Sequence, residues 1–181
     1  MTDTVQVLQI RLDEWPTRGD IQEFLAQTDS HRKITEFLTL EYDAAVSLKI
    51  GEVDLLSGYP EAFFLPIHAF VRSLSQGVKT MDQEGEAVIP IYLQQYEIND
   101  GDPAHKLTVK RQDDTIQVRF EWGGSGDTPE FLNFDQLLVD RNSFRSVIID
   151  FIDLYARKIM MLLSMRADWS GEEISSLFEA F

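Results

Sequence analysis

Cysteine is absent from the chain. That single absence removes disulfides, thiolate metal sites, iron–sulfur ligation and cysteine nucleophiles, and it is compatible with a reducing compartment. Basic residues are scarce: 16 Lys and Arg stand against 31 Asp and Glu, a formal net charge of -15. Proteins hold a nucleic-acid backbone through cations, so broad phosphate contact is disfavoured and no nucleic-acid partner is expected. Long apolar runs are missing too. The nearest candidate, residues 144–165, is interrupted by Arg145, Asp150, Asp153, Arg157 and Lys158, which are costly inside lipid. Met1 to Thr4 hold no basic stretch, and Arg11, Asp13 and Glu14 close the short apolar alternation that begins at Val5, a pattern unlike a signal peptide. The expectation is a soluble, cytoplasmic protein with no membrane partner.

What is present suffices for a folded body. Hydrophobic residues make up 44% of the 181 and aromatic residues 11%, which separates the chain from an acidic disordered tail, and the length suits one domain. The acidic excess is spread evenly. Residues 1–60, 61–120 and 121–181 have balances of -6, -3 and -6, so the charge belongs to the folded surface as a whole.

Periodicity gives the elements. Val5 to Leu12 alternate as a strand, Ile21 to Gln27 suit a short helix capped by Asp20, and the sets 38/40/42 and 46/48/50 read as strands turned at Asp43-Ala44-Ala45. Glu61 to Ser75 predict a helix through Phe64, Ile67, His68, Val71 and Leu74. Pro66 fits it only if the regular turns start nearer residue 65. Gln76 to Gly85 read as a polar connection, and Val88 to Leu93 as a strand placed at an edge or bulge by Pro90, with Tyr96 and Ile98 continuing it. After the turn Asn99-Asp100-Gly101-Asp102-Pro103, residues 107–122 form a hairpin around Arg111 to Thr115, its apolar set being Leu107, Val109, Ile116, Val118, Phe120 and Trp122. Phe131 to Phe134 suit a short strand. A long helix capped by Asp140 or Asn142 runs to about Met165 on the stripe Phe144, Ile148, Phe151, Ile152, Tyr155, Ile159 and Leu162, and Glu172 to Glu179 suit a last short helix. The fold class is α+β: a single domain, mostly antiparallel sheet, with the long C-terminal helix and the central helix packed against it. Clustering of strands in 34–56 and 88–122 without intervening helices weighs against a parallel doubly wound sheet.

No constellation of catalytic residues emerges. Gly123-Gly124-Ser125-Gly126 lacks both the dinucleotide fingerprint and the phosphate-loop lysine, and Glu121, Asp127 and Glu130 beside it would repel an anion. His31, His68 and His105 lie far apart in sequence. Asp150, Asp153 and Arg157 suit a local ion pair on a helix, no calcium loop is present, and no glycine-flanked serine elbow occurs. Catalytic residues, metal ligands and cofactors are therefore none. An acidic folded surface steers a basic protein toward it. The expected function is an acidic protein-binding or inhibitory protein, in its most specific form a bacterial immunity protein that neutralises a basic toxin such as a nuclease. An adaptor or structural interaction domain is the next reading, and a hydrolytic enzyme using carboxylates or histidine the last. The partner-binding residues expected are Asp100, Asp102, Asp113 and Asp114, with Tyr96 and Trp122 as aromatic anchors.

Overall fold

Helix and sheet meet at one residue, Gly85. It adopts φ 84, ends the helix before it by donating its N–H to the Met81 carbonyl (2.9 Å), and accepts the Arg111 N–H (2.8 Å) as the first rung of the sheet. In the computed structural model, the residues described are 5–14, 23, 26, 43–56, 64–93, 95–123 and 136–163. Their order is β1 (Val5–Gln6), β2 (Leu8–Glu14), β3 (Asp43–Ile50), β4 (Val53–Asp54), β5 (Phe64–Pro66), α1 (Ile67–Glu84), β6 (Glu86–Ile91), α2 (Gln95–Asp100), β7 (His105–Gln112), β8 (Thr115–Trp122), β9 (Leu137–Asp140) and α3 (Arg141–Leu163).

The protein is α+β, with α1 and the long C-terminal α3 packed against largely antiparallel sheet. The described residues form two sheets. One runs β1-β9-β8-β7-β6, antiparallel except for the parallel pair β1 and β9; in the other, β3 is central, with β2 along one side and β4 and β5 pairing with it separately. The alternation expected from Val5 to Leu12 therefore serves both sheets, because the chain changes sheet at Val7, whose carbonyl accepts the Gly51 N–H (2.9 Å). Asp43-Ala44-Ala45 is no turn. These residues open β3 and pair with β5, and both alanines are buried. Residues 15–22, 27–42, 124–135 and 164–181 lie outside the described residues, and with them most of the expected helix 21–27, the strands at 38–42 and 131–134, and the last helix.

The hairpin folds as its alternation predicts. β7 and β8 pair from His105↔Trp122 to Gln112↔Thr115, burying Leu107, Val109, Ile116, Val118 and Phe120 while Lys110, Arg119 and Glu121 face water. Asp113, at φ 52, makes the turn. Asp140 caps α3 by accepting the Ser143 N–H on Oδ1 (2.7 Å). Phe144, Ile148, Phe151, Tyr155, Ile159 and Leu163 recur on one face and are buried, each contributing roughly 1.5–3 kcal/mol. The exposed ion pair Arg145–Asp82 (3.4 Å), which joins α3 to α1, contributes about 1 kcal/mol at most, so packing holds the helices together. His68 against Tyr155 and Asp82 against Arg145 show that the two helices run antiparallel. Residues of both sheets and both helices share one core.

Helix α1 departs from expectation at both ends. Pro66 closes β5 and stands just before the first helical residue, where its missing N–H costs nothing. The helix then continues through the expected connection 76–85 to Glu84, because Gly77 lies flat against Ile89 of β6 and lets helix and strand approach closely. On β6, the Gly85–Arg111 rung makes 87/109, 89/107 and 91/105 the hydrogen-bonded pairs. Glu86, Val88 and Pro90 therefore turn their backbone groups to the open edge. Among the described residues Pro90 stands at an edge, where no neighbouring strand needs its N–H. Among the described residues no helix is long and apolar enough to cross a membrane, a finding that does not bear on spanning by strands.

Helix propensity alone would make Gly77→Ala stabilising by about 1 kcal/mol. A Cβ there would overlap the buried side chain of Ile89, so we expect instead a loss of about 1–3 kcal/mol. Gly85→Ala, with only Arg111 nearby but a left-handed backbone, should lose about 1 kcal/mol. Denaturant unfolding of the two variants checks both, and a stabilised Gly77→Ala would refute the close contact.

Candidate functional site

The open end of the β7–β8 hairpin forms a cleft. The register sets His105 opposite Trp122 and Lys106 opposite Glu121. Just beyond it, a Cβ at Gly123 would overlap the Ala104 carbonyl, so only glycine allows the two strand ends to come this close. Gly123, the first residue of the run Gly123-Gly124-Ser125-Gly126, thus has a packing role; residues 124–127 lie outside the described residues. The Gly123 N–H donates to His105 Nδ1 (3.1 Å), and the His105 ring stacks on Trp122 with centroids 4.5 Å apart and planes at 23°. Phe120 closes the other side at 5.4 Å.

The other wall is α2. Residues 95–100 are helix where strand was expected for Tyr96 and Ile98, and the causes are local. Glu97 Oε2 accepts the Leu93 N–H (2.6 Å) ahead of the first turn. Gly101, at φ 70, ends the last turn, and the Asp102 N–H reaches back to the Glu97 carbonyl (3.1 Å) as a Schellman cap. Two apolar residues in six fit either period, which is why alternation misled. Between α2 and the hairpin lies a cleft of about 370 Å³, lined by Glu97, Asp102, Lys106, Glu121, Trp122 and the 103–104 backbone. Its lining holds three acidic residues and one lysine.

Of the six partner-binding residues expected, the structure brings Asp102 and Trp122 together in this cleft. Asp100 is exposed at the end of α2, outside the lining, and Tyr96 belongs to the same helix. Asp113 and Asp114 sit at the opposite end of the hairpin, about 25 Å away at the rise of a strand. They are turn residues, and the Asp114 carbonyl also accepts the Arg141 N–H at the start of α3 (3.0 Å). Glu97 and Lys106 were missed, and Glu121 was read as an acid that keeps anions from the neighbouring glycine-rich segment. The cross-strand register would have found Lys106 and Glu121, since pairing Leu107 with Phe120 sets them opposite each other.

The two described histidines are buried and neutral. Desolvation lowers His68 to about 4, with the Arg72 guanidinium one turn away adding to the effect; its Nδ1 lies 2.6 Å from the Tyr155 hydroxyl. Desolvation also lowers His105 to about 4 against an opposing backbone hydrogen bond at Ala104. A general base works best with a pKa near the operating pH, and neither ring is so placed. Among the described residues no group of three or more His, Asp or Glu is arranged to hold a metal ion. No protein-family model, curated protein or solved structure matches the chain.

A second concavity, of about 260 Å³, lies across α2, between α1 and the open edge of β6. Glu97 lines the first cleft and Ile98 the second, so one short helix separates the two.

Free histidine takes a proton near 6.5, and folded His68 near 4. The stability due to its neutral burial is therefore complete above about pH 6.5 and is lost as pH falls toward 4, by up to about 3 kcal/mol. Urea unfolding of wild type should show this decline between pH 7 and 4.5, and His68→Gln, weaker at pH 7, should show a flatter one. Parallel curves for the two proteins would rule out His68 as a source of the slope.

Proposed function

We propose that this is an acidic protein-binding, inhibitory protein whose contact with a basic partner centres on the cleft between α2 and the β7–β8 hairpin. The observation that carries the reading is that Glu97, Asp102 and Glu121 line one cleft together with the half-buried Trp122, whose ring stacks on His105. An arginine entering such a cleft gains a carboxylate partner beside an aromatic residue, and the volume of about 370 Å³ leaves room for a long side chain. The net charge of -15 supplies long-range steering, which raises the association rate and weakens with salt. In its most specific form the reading is a bacterial immunity protein acting in the cytoplasm on a basic toxin such as a nuclease: negative charge occupies the surface where substrate phosphates would lie. An adaptor would use the same cleft without blocking an activity, so inhibition separates the two.

The test begins with capture from the native organism at low and moderate salt, followed by assay of any retained basic protein for inhibition. Asp102→Lys combined with Glu121→Lys should weaken binding at least about tenfold at moderate salt, beyond what the same charge change at Asp113 and Asp114 does. Equal losses from the two pairs would leave steering without a cleft, and failure to retain any basic protein would remove the partner.

A further inference from the structure

The groove between α1 and the edge of β6 has a chemistry opposite to that of the acidic cleft. Ala69, Gly77, Val88 and Ile98 give it an apolar lining, and its charged residue is a cation, Arg72. Lys49, Lys110 and Arg145 pair with Asp54, Glu86 and Asp82, while Lys79, Arg111 and Arg119 make no ion pair among the described residues. Arg72 makes no ion pair among the described residues. Two further donors line the groove. Thr80 accepts a hydrogen bond from Gln76 Nε2 (3.3 Å) and keeps its own hydroxyl hydrogen to give. Val88 is 55% exposed, and the ladder register points its N–H to the open edge.

We propose that this groove binds a small amphipathic anion: a carboxylate, met by the Arg72 guanidinium and the Val88 N–H, on an apolar body that lies along the floor. The size follows from the volume, since 260 Å³ equals that of about nine waters and suits about ten non-hydrogen atoms. The edge itself argues against a peptide strand as occupant. Strand addition needs donors at alternate residues, and Pro90 removes one of the three that β6 would offer, while Glu86 places a charge beside another. A lone carboxylate needs only one backbone donor. The site is independent of the basic partner proposed above, since α2 separates it from the acidic cleft.

Octanoate, octan-1-ol and octylammonium share one apolar tail and differ in head group, so titrating each into the full chain while following backbone amide resonances isolates the anion. Octanoate should move the amides of 72–80 and 86–92 saturably, with Kd near about 1 mM, the ordinary strength for about ten atoms. Octylammonium should bind more weakly than octanol. Arg72→Gln should weaken octanoate about fivefold and leave octanol unchanged. The proposal is overturned if octylammonium binds as well as octanoate, if Arg72→Gln leaves octanoate unaffected, if the shifts fall outside these segments, or if none saturates by about 10 mM.

Discussion

The structure depends on how closely α1 can lie against β6. A helix and the strand that follows it through a single residue must reverse direction at once, and Gly85 does so in the left-handed region while serving as helix cap and first rung of the ladder. Eight residues earlier, Gly77 removes the side chain that would hold the helix off Ile89. With α1 so placed, its buried face meets α3 through His68 with Tyr155 and through the edge-to-face pair Phe70 and Phe151, with centroids 6.1 Å apart. α3 also reaches β2 of the second sheet, which brings both sheets into one core.

The same joint shapes the surface. β6 is left at an edge, and the chain leaving it must turn back across the end of the hairpin, which it does through α2. This short helix is held by its own caps, the Glu97 carboxylate before it and the Gly101 reversal after it. Because it stands between hairpin and edge strand, it divides the surface into an acidic cleft and a mainly apolar groove bearing a cation. Their electrostatics differ although they share a wall, since adjacent helical residues point about 100° apart: Glu97 faces one and Ile98 the other.

The elements legible from the residues were those whose burial has a single period over at least eight residues. The hairpin 107–122 and the helix begun by Asp140 fall in this group, as does the edge position of Pro90. α1 was legible at its core, Ile67 to Leu74, and misread beyond it, because Gln76, Gly77 and Thr80 look like a breaker and a polar loop. They are a helix face whose small residue is required by Ile89, a residue twelve positions away. The first strand was misread for a similar reason: alternation shows that a residue is half-buried, not which sheet covers it, and the change of sheet at Val7 depends on Gly51. In the cleft, Asp102 and Trp122 were foreseen by residue type. Lys106 and Glu121 depend on pairing between strands, and Glu97 on a helix too short to have a period of its own.

By itself the sequence determined the chemistry that is missing and the charge that is present: no thiol, few cations, a surface negative along its whole length, and enough apolar residues for an α+β core. These are sums over residues, and no arrangement of the chain can alter them. The tertiary structure decided where they act. It carried Asp113 and Asp114 to one end of the hairpin and Asp102 and Trp122 to the other, buried two histidines where desolvation keeps them neutral, and set Arg72 beside an apolar groove. Strand register, close approach at glycine and the low dielectric of a packed interior are relations between distant residues, and they come into being only when the chain folds.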